Sequence, residues 1–211
     1  CSLVGSEMCI RDRINGVKGT SFAVWAPNAV RVSVVGNFNE WDGRRHAMHR
    51  MPMSGIFELF IPGVKVGDIY KYELKLKGNR IELKSDPYAA CTEVPPANAS
   101  VVADTSVFQW EDETWMKERK KFSDRKQPIS IYETSLTEWK DAAELADFVK
   151  KLNYTHVELH PVMEYLDDEA GEYSTFAYYA PTRRFGTPED FQKVVNELHK
   201  AGTVSYTHLT L

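Results

Sequence analysis

Cysteine is scarce: three stand in 211 residues, at positions 1, 9 and 91. That number and spacing give neither a disulfide framework nor a zinc site, and a reducing, cytoplasmic setting is the default expectation. No apolar run approaches the roughly 18 residues a membrane helix needs, so no membrane partner is read. No basic stretch, apolar core and cleavage site follow one another near the start, so no secretion signal is read either. Charge of one sign is not in excess. The chain sets 26 basic against 30 acidic side chains, a formal net charge of −4, which argues against a nucleic-acid partner. A phosphate loop of the GxxxxGK[ST] type, a GxGxxG turn and a GxSxG nucleophile elbow are all missing. So are internal repeats and low-complexity runs. What remains is the composition of an ordinary globular protein, 43% apolar, 12% aromatic and 27% charged, long enough for one sizeable domain or two small ones.

The two ends stand apart from the rest. Residues 1–13, CSLVGSEMCIRDR, and the final VSYTHLTL resemble translated sequencing-adaptor read-through. The expected native span is therefore Ile14 to Gly202, with 1–13 a non-native leader and 203–211 a non-native tail. Within that span the text changes character once. From Gly19 to Val107 short strands recur between turn signals. Phe22 and Val24 alternate with Ser21 and Ala23, and a break follows at Pro27-Asn28. Further strands are read at Arg31–Gly36, Ile56–Ile61, Ile69–Leu76, Arg80–Lys84 and Ala99–Ala103. This spacing predicts an antiparallel, immunoglobulin-like β-sandwich over residues 14–107. Residues 108–128 are charged and unpatterned, with Trp110 and Trp115 embedded in them, and read as a linker that packs onto something.

From residue 129 the grammar is strand, helix, strand, helix. Strands are expected at Ile129–Glu133 and Thr155–Leu159. Leu145, Phe148, Val149 and Leu152 mark one helical face, and Phe191, Val194, Val195 and Leu198 mark another. Thr187-Pro188-Glu189-Asp190 opens the second helix with a cap, a proline suited to the first turn and two acids at the positive end. Gly202 is a natural stop. Such alternation builds a parallel α/β layer, but this half is far shorter than the roughly 250 residues of a (β/α)8 barrel. The pattern predicts either a small open α/β unit or a truncated chain.

The chemistry-bearing residues leave several readings open. Asp167-Asp168-Glu169 with Glu172 is an acidic loop cluster, usually a solvated face. His156, Glu158 and His160 share one face of a strand and could bind zinc, although hydrogen-bonded structural roles are the commoner outcome. Aromatics in polar turns are more telling. Phe38 and Trp41 lie in one, and Tyr173, Phe176, Tyr178 and Tyr179 crowd another. Flat rings with polar rims suit the C–H faces of sugars. The alternative for each ring is a local cluster that anchors its loop.

These segments, taken together, resemble a known family. Gly19-Thr20-Ser21-Phe22-Ala23-Val24-Trp25-Ala26-Pro27-Asn28 and Val34-Val35-Gly36-Asn37-Phe38-Asn39-Glu40-Trp41-Asp42-Gly43 closely resemble carbohydrate-binding module family 48, the glycogen- and starch-binding sandwich that precedes the barrel of 1,4-α-glucan branching enzymes. Tyr70-Lys71-Tyr72-Glu73 and Asp86-Pro87-Tyr88-Ala89 continue the likeness. Ile129–Glu133 and Tyr154–Leu159 look like the family's first two barrel strands. The most specific string is Tyr179-Ala180-Pro181-Thr182-Arg183-Arg184-Phe185-Gly186-Thr187-Pro188-Glu189-Asp190-Phe191.

The resemblance implies a sandwich followed by the first two βα units of a truncated TIM barrel over 129–202. It implies an α-amylase-superfamily transferase that moves an α-1,4-glucan segment to an α-1,6 position in glycogen biosynthesis. Its mechanism would be retaining, with two carboxylates about 5–5.5 Å apart, and without metal or organic cofactor. In the family those carboxylates lie on later strands, so no catalytic residue is assigned in this chain, which is expected to be inactive alone. The implied partner is α-glucan. Tyr173 matches a tyrosine that stacks beneath the sugar, although Gly171, Glu172 and Ser174 depart from its usual neighbours. Trp41 and Lys71 match carbohydrate-contacting positions of related modules, while Leu83 stands where a second aromatic is usual. His160 also replaces an apolar residue. A related debranching enzyme, a trehalose-releasing hydrolase and a non-catalytic glucan-binding protein are the other readings.

Overall fold

A computed structural model describes residues 9–14, 16–121, 128–170 and 174–206. The chain divides into two compact units, one of residues 1–104 with 176–180 and one of residues 105–175 with 181–211.

The first unit is built from strands β1 (Cys9–Ile14), β2 (Val17–Trp25), β3 (Arg31–Gly36), β4 (His49–Arg50), β5 (Ile56–Pro62), β6 (Ile69–Lys75), β7 (Ile81–Lys84) and β8 (Ser100–Val101). One sheet has the order β1-β2-β5-β4, and the other runs β3-β6-β7 with β8 also on β6. All pairings within them are antiparallel. All of β1 except Ile14 comes from the stretch expected as a leader. Strand alternation sends Phe22 and Val24 of β2, Val32 and Val34 of β3, Phe57 and Ile61 of β5, and Tyr70 and Tyr72 of β6 into one buried cluster. Residues from both sheets meet there, so the sheets face each other as a sandwich. The expected alternation of β2 holds. Ser21 and Ala23 are half-buried on the opposite face.

The second unit contains α1 (Glu113–Glu118), β9 (Ile131–Thr134), α2 (Ala142–Lys151), β10 (His156–Leu159), β11 (Met163–Tyr165), β12 (Thr175–Pro181, shared with the first unit), α3 (Pro188–Ala201) and β13 (Val204–Tyr206). β13, β10 and β9 form a parallel three-stranded sheet in that order. This is one parallel strand more than the two expected, and it lies in the stretch expected as a tail. Trp139, Val149, Val157, Leu159, Val194 and Leu198 fill the core. The helical face of α2 is rotated from the expected one. Ala142, Leu145, Ala146 and Val149 are buried, whereas Phe148 and Leu152 are 43% and 54% exposed. The alanines take core-facing positions of α2, and Phe148 lies to the flank, where its ring meets Tyr132 at 5.2 Å. β9 starts two residues later than expected, and Ile129 and Ile131 are exposed.

The ends of α3 follow the sequence closely. The Thr187 hydroxyl accepts from the Asp190 amide and the Asp190 carboxylate accepts in return, a reciprocal cap, with Pro188 in the first turn. Gly202 closes the helix at φ 80°. The charged stretch before β9 includes α1, whose buried Trp115 stacks on His199 of α3 at 4.9 Å. His199 Nδ1 lies 2.8 Å from Asp112 Oδ2, and the Glu111 amide donates to Asn196 Oδ1.

Candidate functional site

β6 is the strand from which the site is built. Its even members, Tyr70 and Tyr72, are core residues. Both hydroxyls donate to Oδ2 of buried Asp86, at 2.7 and 3.3 Å, and the Tyr88 amide donates to Oδ1. Burial pushes the Asp86 carboxyl up from the usual carboxylate range, against those hydrogen bonds. The odd members, Lys71 and Glu73, emerge on the outer face. The Lys71 ammonium donates to Asn98 Oδ1 at 2.5 Å, and Glu73 accepts from Arg31. Asn98 is held in turn by the Ser85 hydroxyl, which donates to its carbonyl. Leu83 lies opposite Glu73 on β7 and is half exposed.

Trp41 lies in the loop after β3. The chain turns through Asn37–Asn39, and Glu40 and Trp41 then take left-handed backbone angles, φ 57° and 60°. Bulky residues rarely adopt that region, so the surrounding contacts must hold it. The Trp41 amide donates to the Gly36 carbonyl and the Asp42 amide to the Asn39 carbonyl. Asp42 is pushed down to about 2 by its hydrogen bonds with Arg44. Gly43 lies directly against the Glu73 carboxylate, with which an added Cβ would collide. That contact sets the loop over the outer face of β6, the face that carries Lys71. Trp41 is 39% exposed.

Of the sequence candidates, Lys71 stands on the outer face of β6, and Trp41 lies in the loop whose Gly43 meets Glu73 of that face. Phe38 does not join them. It packs against the core, 6.5 Å from Phe22. Tyr173 lies outside the described residues, as do Gly171 and Glu172. Asn98 was not legible, because its role depends on Lys71, 27 positions away. Its one local signal is the Pro95-Pro96 that precedes it.

The second unit brings a different set together. Glu164 is fully buried. Its Oε1 accepts from Thr182 Oγ1 at 3.0 Å and Arg184 Nη1 at 2.6 Å, and its Oε2 accepts from the Arg183 amide at 2.7 Å. The Arg184 guanidinium also donates to Asp168 and to the Tyr165 carbonyl, and sits 4.0 Å from the Tyr165 ring centroid. Both carboxylate oxygens are engaged, so this is a brace for the chain between β10 and α3 rather than a reacting acid. It also draws one member of the acidic loop cluster, Asp168, into an ion pair. The histidines of β10 part company: His156 pairs with the Thr155 hydroxyl and His160 with Glu133. Among the described residues no group of three His, Cys, Asp or Glu side chains is placed to hold a metal ion.

Residues 6–89 match the family described as Carbohydrate-binding module 48 (Isoamylase N-terminal domain). The chain is 45% identical over 203 residues to the 1,4-alpha-glucan branching enzyme GlgB of Cellvibrio japonicus, and 48% identical over 197 residues to that of Cereibacter sphaeroides. By sequence, the chain is similar to the branching enzymes over most of its own length. Each match takes in 90% of this chain, which spans 28% and 27% of those two proteins' lengths. The pullulanase of Bacillus acidopullulyticus superposes with a TM-score of 0.70 at 19% identity, covering 98% of this chain and 30% of that one. At that identity the likeness is one of fold.

Proposed function

We propose that this chain is part of a 1,4-α-glucan branching enzyme, which moves an α-1,4-glucan segment to an α-1,6 position in cytoplasmic glycogen synthesis. The observation that carries the reading is the 45–48% identity to such enzymes over nine-tenths of the chain. In this reading the parallel strands β9, β10 and β13 open an α-amylase-type (β/α)8 barrel. The active site of such a barrel is assembled from the C-terminal ends of several strands. Three strands do not surround a barrel centre, and the two carboxylates of a retaining mechanism belong to later strands. The residues of this chain therefore position and bind, and the bond-making groups lie elsewhere in the full enzyme.

The sandwich binds α-glucan on the outer face of β6. The Trp41 indole supplies a flat apolar surface for a pyranose, and Lys71 and Asn98 supply a donor and an amide for its hydroxyls. Leu83 adds apolar area without the quadrupole of a ring. Tyr173 is the proposed contact at the cleavage site.

The test is a chimera in which this chain replaces the corresponding segment of the Cellvibrio japonicus enzyme, assayed for new α-1,6 branches on amylose. The chimera is expected to branch and the 211-residue polypeptide alone to leave amylose unchanged. A well-folded chimera without activity would overturn the reading. Glycogen co-sedimentation of the whole chain tests the sandwich face, with Trp41→Ala expected to lower retention about tenfold, the scale of one stacking aromatic.

A further inference from the structure

The loop that presents Trp41 turns on a single buried amide. Asn39 is 1% exposed. Its Oδ1 accepts from the Gly36 amide at 2.9 Å, and its Nδ2 donates to the Val34 carbonyl at 2.9 Å. An amide can only donate and a carbonyl can only accept, so these two contacts fix the orientation of the side chain. The second hydrogen on Nδ2 points to His46 Nδ1, 2.8 Å away. His46 must accept there. Its imidazole is then neutral, with the ring proton on Nε2. Protonation of Nδ1 would set two donors face to face. Neither partner has an escape. Turning the amide would break both contacts to β3, and turning the ring would offer a carbon. The His46 ring also leans on Phe38, with centroids 5.8 Å apart.

We propose that neutral His46 is the positioning residue of the sandwich's glucan face, locking the Trp41 loop through Asn39 and releasing it on protonation. The inference rests on the reading of Trp41 as the sugar platform. The left-handed pair Glu40–Trp41 follows Asn39 directly, and the Trp41 amide is fastened to Gly36, the residue whose own amide Asn39 holds. Loosening Asn39 therefore loosens both ends of the turn. The charged groups around the loop are Arg45, which approaches Glu40 and Asp42 at 3.8 Å, Arg44, which pairs with Asp42, and, from β6, Lys71 on Asn98 and Glu73, which meets Gly43 and Arg31. Burial, helped by the charge of Arg45, holds His46 below the usual histidine range. The sign follows. The lock is complete above the ordinary value near 6.5 and is lost as the solution is acidified through the lowered one.

The experiment uses the whole 211-residue chain with maltoheptaose as the probe, titrated calorimetrically between about pH 7.5 and pH 5, the window in which histidine changes charge. Affinity is expected to fall about fivefold across the acid limb, the equivalent of one lost hydrogen bond. His46→Asn keeps an acceptor at the Nδ1 position but cannot take a proton, and is expected to bind evenly across the range. His46→Leu removes the acceptor and is expected to bind weakly throughout with an unchanged far-ultraviolet spectrum. A flat wild-type profile, or a His46→Asn profile that follows the wild type, would overturn the proposal. The Trp41 indole proton resonance gives a readout free of ligand. It is expected to move with the midpoint of the His46 ring, and its failure to do so would also overturn the proposal. If the resonance follows His46 while Trp41→Ala binds maltoheptaose as well as wild type, the lock stands and the platform reading falls.

Discussion

The two units bury apolar residues by different rules. In the sandwich, alternation is enough. Alternate residues of β2, β3, β5 and β6 enter one cluster, and on β6 the other half of the strand carries polar side chains. In the α/β unit, β10 is covered by helices and buries Val157 and Leu159, while the outer strand β9 leaves Ile131 exposed, with Ile129 just before it. Phe148 and Leu152 of α2 are exposed nearby in sequence. A two-faced antiparallel layer closes on itself with few residues, whereas a parallel sheet needs neighbours on both edges and cover on both faces. The comparison teaches where stability resides: the sandwich is expected to be the robust part, and the α/β unit the part that opens first.

Substitution of a large core ring breaks or sharpens this comparison most strongly. Trp139→Ala and Phe22→Ala each remove a side chain that is 1% exposed, at a cost of about 3–5 kcal/mol. In the α/β unit that loss is expected to abolish amide-exchange protection across α2 and α3, while Phe22→Ala leaves β2, β5 and β6 measurably protected. Surviving protection in α2 alongside its loss in β5 would reverse the ranking.

Glu164→Gln comes next. Removing one member of a buried charge pair costs about 3 kcal/mol, and the variant should melt correspondingly lower by calorimetry. Its exposed counterpart is the control. Asp168→Asn, on a side chain that is 80% exposed, should change stability by less than about 1 kcal/mol. Equal effects would mean that the brace depends on Arg184 rather than on the buried carboxylate. Thr187→Ala should cost about 1 kcal/mol through the lost cap of α3, read by urea unfolding. The smallest effect is one of pH. The Thr187 hydroxyl, and then Lys193, hold Asp190 below the usual carboxylate range. Its contribution is therefore present above the ordinary value and lost as pH falls through the lowered one. The melting temperature of Asp190→Asn should be less sensitive than that of the wild type across that acid range.

Local features were legible in the sequence because their causes are local. Thr187-Pro188-Glu189-Asp190 and Gly202 state the two ends of α3 within a few residues, and the alternation of β2 states which face is buried. Features that depend on distant partners were not. Phe148 counts as well as Leu145 in a helical period, and only the alanines of α2 packed against the core decide between them. Glu164 looks like any acid in a strand until Thr182, Arg183 and Arg184 close around it. Trp41 and Lys71 could be named from resemblance, but Asn98 and His46 could not, since each acquires its role from a side chain on another element. The strand β13 was hidden for another reason. Three residues are too few to show a period.

β6 carries a further consequence. Its side chains alternate between the carboxylate of Asp86 inside and the amide of Asn98 outside, so core and outer face are written along one strand in a single phase. An insertion or deletion of one residue there would exchange the two sets, turning Lys71 inward and a tyrosine outward. Neither face can be shifted while the other keeps its place, and viable length changes in this module must therefore fall outside β6.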